Sequence, residues 1–207
     1  MNKLVLTGGG GHCLSVLDSI YDSCKYDEVL ITDYQHPAGY RILKSVVVGD
    51  DSNLPSLYDS GVNSAHISVG NIKTTDIRRT LDKMLSEIGF SFPVIIDRTA
   101  VVSGNSEIGE GTFVAKHAVI NVNSHIGRHS IINTSVVIEH ECHIGDFVHV
   151  AGGSVICGNS SIGDDTFVGA NSTIIQGLSI GKNVIIGAGS LVLRDVKDNE
   201  TIYGIVK

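Results

Sequence analysis

The chain has 207 residues, 42% of them hydrophobic, 5% aromatic and 18% charged, with a formal net charge of −7 and no tryptophan. That length holds one large domain or two small ones, the acidic balance speaks against a nucleic-acid surface, and no apolar run is long enough to span a membrane. The 24 glycines suit a chain that turns often, and the four cysteines, none in a C-x-x-C pair, point to a reduced cytoplasmic protein rather than a disulfide scaffold.

Residues 1–90 read as a small α/β domain. Residues 3–7 form a first strand, whose apolar stretch is too short for a signal peptide. Four glycines follow at 8–11, then a helical pattern with Leu14, Leu17, Ile20 and Tyr21 facing inward. Residues 29–32 read as a second strand ending at Asp33, 46–48 as a third, 53–59 as a short helix and 66–69 as a fourth strand running into Gly70 and Asn71. Residues 74–88 read as a helix with Ile77, Leu81, Met84, Leu85 and Ile88 on one stripe. Alternating strands and helices predict a parallel, Rossmann-like sheet. Residues 89–93 then link it to a second domain over 91–207.

The glycine loop between strand and helix is where backbone N–H groups and a helix N-terminus can hold an anion. Gly8 and Gly10 match the dinucleotide pattern, but Cys13 stands where its third glycine belongs. The loop therefore suits a mononucleotide diphosphate rather than a full dinucleotide, with Asp33 positioned to accept from a ribose hydroxyl. A tight turn that binds nothing is the alternative reading.

From Ile96 to Val192 every sixth residue is Ile or Val, in 17 consecutive positions. Four residues after each stands a small or β-branched residue in nearly every case. This period is neither that of an amphipathic helix nor that of a strand pair; it is the hexapeptide signature of a parallel β-helix. Ile-Gly pairs at 108, 126, 144, 162 and 180 recur every 18 residues, so three hexapeptides make one triangular coil and about five coils result. No insertion breaks the register, so no loop of the same subunit can close a site and a neighbouring chain has to supply its other wall.

The frame directs Ile138 and Cys142 inward and Glu139, His140, Glu141 and His143 outward or onto a turn. A neutral imidazole beside a carboxylate can act as a general base near neutral pH; a solvated turn without function is the other reading. No Lys or Arg occurs from 129 to 181 to pair these acids. His125 and His143 stack one coil apart, yet no H-x4-H pair and no third ligand supports a metal site, and no metal is expected. The only basic cluster on the later coils is Lys182, Arg194 and Lys197, the expected place for the phosphates of an anionic ligand.

The Gly-Gly-Gly-Gly-His loop at 8–12, the Ser-Val-Gly-Asn turn at 68–71, the Asn133-Thr134 pair and the Ile-Glu-His-Glu-Cys run at 138–142, set on an α/β domain plus hexapeptide helix, resemble the nucleotide-sugar acetyltransferases of bacterial surface-glycan synthesis. The resemblance covers nearly the whole chain. It implies a left-handed β-helix, a cytoplasmic bacterial homotrimer with active sites between subunits, and acetyl-CoA as co-substrate. The acetyl acceptor would be the amine of a UDP- or dTDP-linked 4-amino-4,6-dideoxy sugar. It implies His140 as base, tuned by Glu141, and His149 near the acetyl group. It places the Gly158 amide on the thioester oxygen and Asn133 at the sugar. Gly8, Gly10, His12, Asp33 and Gly70 would contact the nucleotide, and Ala170, Gly187 and Ala188 the coenzyme. The chain departs from the family's usual Gly-x-Pro-Ala-Lys ending at Gly204-Ile205-Val206-Lys207. A sialic acid O-acetyltransferase, a non-catalytic β-helix scaffold and a metal-dependent hydratase are the competing classes.

Overall fold

The structure, a computed structural model, describes residues 2–71 and 74–207. The chain divides into two compact units, one formed up to Gly70 together with Asp76–Ile95, the other by Asn71–Thr75 with Ile96–Lys207.

In the first unit, strands β1 (Lys3–Thr7), β2 (Glu28–Thr32), β3 (Arg41–Ile42), β4 (Ser45–Gly49) and β5 (Ser64–Ile67) form one sheet in the order β3-β4-β2-β1-β5. All pairs are parallel except β3 with β4. Leu4, Val5 and Leu6 of β1, an interior strand flanked by β2 and β5, are fully buried, the continuous apolar run expected of a parallel strand covered on both faces. Helix α1 (Gly11–Ser23) buries Cys13, Val16, Leu17 and Ile20. Leu14, expected on that face, is exposed, because the helix is rotated so that Cys13 faces the sheet in its stead. A short helix α2 (Leu54–Asp59) and the longer α3 (Asp76–Ile88) complete the unit.

Leu81 and Leu85 of α3 are buried, but Ile77, read as part of the same stripe, is 62% exposed. The fourth strand lies two residues earlier than its apolar run suggested, and α3 starts at Asp76 rather than 74. β3 escapes sequence reading altogether, since two residues carry no periodicity. Residues 89–93, expected to be a linker, belong to the first unit: Phe90 and Phe92 pack in its core and Ser91 bridges Ser64.

The second unit is a left-handed parallel β-helix. Two-residue strands stack into three faces of seven, five and seven strands. The inward ladder runs 102, 120, 138, 156, 174, 192 on the first face, 108 to 180 on the second and 96 to 186 on the third, every pair in register. Ile120, Ile138, Ile156, Ile174 and Val192 are essentially water-free, each contributing about 1.5–3 kcal/mol by burial.

The small residue four places on has its own job. Ser130 Oγ accepts the Val148 N–H at 3.1 Å and donates to the Gly145 carbonyl at 2.8 Å, so one hydroxyl satisfies two backbone groups of the next coil. Ser154 and Ser172 repeat the arrangement. Each edge is turned by a residue of left-handed conformation recurring every sixth position from Gly111 to Gly189. Most are not glycine: His117, Asn123, His129, Ser135, Glu141, Phe147, Asn159, Asp165, Asn171 and Asn183 all have positive φ. Single residues of this kind are unfavourable alone, and here the stacked ladder on either side holds them.

Candidate active site

The first unit holds a cavity of about 600 Å³ at the carboxyl ends of β1, β2 and β5, the usual ligand position in an open parallel sheet. The glycine loop, His12, Asp33, Ser68, Gly70 and one side of α3 line it. Gly8 has φ +102°, and a Cβ there would lie 2.5 Å from Val69 Cγ2; at Gly9 it would meet Ile42 and Asp33. Those two glycines are required by packing. At Gly10 and Gly11 a Cβ would meet nothing within 4 Å. The fold therefore does not demand glycine at the start of α1, where it costs about 1 kcal/mol against alanine, but a ligand approaching the helix N-terminus would.

Asp33 braces this loop. Its Oδ2 accepts the Gly9 N–H at 2.6 Å, while Oδ1 accepts the Gln35 and His36 N–H groups and lies 2.8 Å from His36 Nδ1. Burial would raise its carboxyl, but the hydrogen bonds from Gly9, His36 and Gln35 outweigh it and hold Asp33 below the ordinary aspartate range. Ser68 ties β5 to the loop by donating to the Thr7 and Gly8 carbonyls, and buried Arg78 donates from Nη1 to the Val69 carbonyl at 2.6 Å. Burial brings that guanidinium down to about 10, so it stays charged at neutral pH. Gly70 packs 3.6 Å from His12 Cβ, as measured to a Cβ placed on the glycine.

In the β-helix the site residues divide among edges. His140 and Glu141 stand between the first and second faces, with Gly158 directly above on the same edge. The imidazole is 55% exposed, and its Nδ1 lies 3.0 Å from Glu141 Oε2. The carboxylate can only accept, so Nδ1–H donates, and in the neutral form of the ring Nε2 keeps its lone pair. A Cβ on Gly158 would lie 2.7 Å from that Nε2. The coil's hydrogen bonds there run from Cys157 N to Ile174 O and from Asn159 N to His140 O, bypassing the Gly158 N–H. Cys142 is fully buried beneath, and burial raises its thiol above the ordinary range.

His149 lies on the third face. Its Nδ1–H donates to the Asn71 carbonyl at 2.7 Å, leaving Nε2 to accept from the Asn133 amide at 3.3 Å. This pairing fixes the tautomer. Asn71 was not singled out as a site residue by sequence; the only sign was its place after the Ser-Val-Gly turn. Asn133 continues along the edge that also carries Ala170, Gly187 and Ala188. A Cβ on Gly187 would run into the exposed Tyr203 ring, which would have to shift to admit it.

Of the three cations, Arg194 and Lys197 both flank Glu200, while Lys182 pairs with a different carboxylate. Lys182 stands on the remaining edge, 2.8 Å from Asp164 Oδ2. Arg194 stands on the His140 edge, held by Glu200 and by the Asp195 and Lys207 carbonyls. Lys197 is exposed beside Glu200. His125 and His143 stack at 4.9 Å, with His125 Nε2 3.5 Å from Glu107. Among the described residues no group of three or more His, Cys, Asp or Glu is placed to hold a metal, and no helix is long and apolar enough to cross a membrane.

The PglD N-terminal domain family matches residues 3–80, and the hexapeptide repeat of succinyl-transferase family matches 160–194. No curated protein matches the chain in sequence. Among solved structures, the perosamine N-acetyltransferase of Caulobacter crescentus, a histidine-to-asparagine variant in complex with CoA and GDP-perosamine, is 33% identical with a TM-score of 0.92, over 99% of this chain and 94% of that one. The acetyltransferase domain of PglB from Neisseria gonorrhoeae FA1090, in complex with acetyl coenzyme A, is 28% identical with a TM-score of 0.89, over 98% and 96% of the two chains. WeeI from Acinetobacter baumannii AYE, 23% identical over 97% and 96% with a TM-score of 0.86, shares the fold. Similarity at this level along the whole chain, joined to the glycine-loop domain and the hexapeptide coils, places the protein in the hexapeptide-repeat family of nucleotide-sugar acetyltransferases, which draw their acetyl group from acetyl-CoA.

Proposed function

We propose that the protein transfers the acetyl group of acetyl-CoA to the amine of a nucleotide-linked 4-amino-4,6-dideoxy sugar in surface-glycan synthesis. The observation that carries this reading is the outward His140, its Nδ1 hydrogen-bonded to Glu141 and its Nε2 set against the Gly158 backbone. His140 Nε2 accepts the ammonium-forming proton as the amine nitrogen attacks the thioester carbon. The Gly158 N–H receives the negative charge that develops on the carbonyl oxygen, a donor of a kind worth about 3 kcal/mol. As the carbon–sulfur bond breaks, His140 returns the proton to the leaving thiolate. Attack is direct, with no acyl-enzyme.

The two relatives of known ligand support the substrate class: one holds CoA with GDP-perosamine, the other acetyl coenzyme A. The nucleotide would enter the cavity of the first unit, with its phosphates at Gly10 and the α1 N-terminus and Gly8, His12, Asp33 and Gly70 shaping the wall. Asn133 and His149 would face the sugar and acetyl groups, and Ala170, Gly187 and Ala188 the coenzyme, with Arg194 and Lys197, which flank Glu200, near its phosphates.

The site would be completed in a homotrimer. His140 and His149 stand on different sides of one coil stack, so a site that uses both draws on two chains. The first face also presents an outward stripe, Val101, Val119, Val137, Val155, Leu191 and Ile205, interrupted by Thr173 and exposed or half-buried in the single chain. The corresponding positions of the second face, Glu107, His125, His143, Ser161 and Ser179, are polar. All four cysteines are free, which supports action in the reducing cytoplasm where acetyl-CoA is made.

The reading predicts CoA release when the protein meets acetyl-CoA and a nucleotide-linked 4-amino sugar, and none with free sialic acid. Release with sialic acid alone would assign it to O-acetylation, and no binding of millimolar acetyl-CoA would make it a scaffold. Gly158→Ala should lower kcat about 10²-fold, since displacing a reacting group by an ångström costs that much. Its added Cβ would push the exposed imidazole aside while the melting temperature holds. A fully active variant would remove Gly158 from the site.

A further inference from the structure

The cavity of the first unit contains a carboxylate that the glycine loop does not use. Asp51 follows β4, is only 7% exposed and lines the cavity. Its Oδ1 accepts the Thr32 hydroxyl at 2.5 Å, and the Tyr34 hydroxyl lies in its neighbourhood. Among the described residues no Lys or Arg lines the cavity. Tyr34 and Ile77, exposed by 76% and 62%, stand at its mouth as apolar flanks without a partner in the unit's core.

A buried carboxylate without a cation is costly unless hydrogen-bond donors surround it. The Thr32 hydroxyl fills one of its four acceptor positions. Burial, joined by the nearby Asp50 and Asp33 charges and only partly offset by the Thr32 hydroxyl, raises the Asp51 carboxyl above the ordinary range; an incoming pair of N–H donors would relieve that strain.

The chemistry of the bases then separates them. Guanine offers two adjacent donors, N1–H and the N2 amino group, spaced to meet both oxygens of a carboxylate. Uracil and thymine offer one N–H between two carbonyl oxygens, whose lone pairs would face the acid. Adenine and cytosine each place an acceptor beside their amino group. We propose that Asp51 reads the Watson–Crick edge of guanine, so that the sugar donor of this protein is a GDP-linked amino sugar rather than the UDP- or dTDP-linked one expected from the family resemblance. The proposal rests on the reading of this cavity as the nucleotide-sugar site.

Calorimetric titration of the intact protein with GDP, IDP, UDP and dTDP tests it. GDP should bind at least about 10-fold more tightly than UDP or dTDP, and IDP, which lacks the N2 amino group, about 10-fold more weakly than GDP. Asp51→Asn should weaken GDP about 10–100-fold, the range for a hydrogen-bonded charged acceptor, and change UDP less than threefold. UDP or dTDP binding as tightly as GDP, or a variant that weakens all four alike, overturns the assignment. The wild-type series decides the question even where the variant does not fold. Transfer of acetyl to a UDP-linked amino sugar in preference to a GDP-linked one would reject the guanine reading and leave the acetyltransferase intact, whereas failure of all four diphosphates to bind would reject both the guanine reading and the nucleotide site.

Discussion

His140→Ala is expected to lower kcat about 10²–10⁴-fold, the range for losing a positioned general base, with the melting temperature unchanged. The side chain is 55% exposed and stands on an edge of the β-helix, so its removal opens no cavity. The stacked ladder beneath it, Ile138 on Ile156, is untouched. The Michaelis constants should hold, because the imidazole acts on the proton that moves in the transition state and not on the parts of either substrate that anchor it. Steady-state kinetics with both substrates varied, beside a thermal melt, checks this. A variant that keeps full activity would take the base away from His140, and one that melts early would show a structural role instead.

The second large effect concerns sharing of the site. His140→Ala and His149→Ala chains, each nearly inactive alone, should regain activity when co-refolded or co-expressed. A site that takes His140 from one chain and His149 from its neighbour is intact wherever an unaltered His140 meets an unaltered His149. In randomly mixed symmetric trimers at equal amounts this holds for about one quarter of sites, so about one quarter of wild-type activity should return. Activity of the mixture no greater than that of the separate variants would mean that both histidines serve one chain, or that His149 takes no role. The geometry that motivates the experiment is the division of the two histidines between an edge and a face, with His149 held in one tautomer by Asn71 and Asn133.

The β-helix was legible because its physics is periodic. Each inward position must be apolar and branched to fill a triangular core, and the position four residues on must be small enough to bond across coils, as Ser130 does. Such a frame assigns every side chain a direction, which is why the sequence alone puts His140 outside the core. The α/β unit was less legible. Leu14 and Ile77 fit an apolar stripe yet face outward, because a helix over a sheet can rotate by one residue without breaking its pattern. Ile77 is spent on the cavity mouth. Asp51 carried no motif; only its burial beside the glycine loop without a cation distinguishes it from an ordinary turn aspartate. Likewise Lys182 and Arg194 looked like a cluster in sequence, but a coil of 18 residues sends them to different edges, where each meets a carboxylate.

The same stacking governs how the molecule loosens. In a column of coils each layer touches only the one above and the one below, so stability accumulates layer by layer and the ends open first. The last strands, Thr201–Ile202 and Ile205–Val206, lie outside the strict six-residue register and close the column at one end. His140 and Gly158 sit with further coils on both sides. Local opening at either end leaves their spacing unchanged. To move them apart the chain must split two adjacent interior layers, which opening at the ends does not do.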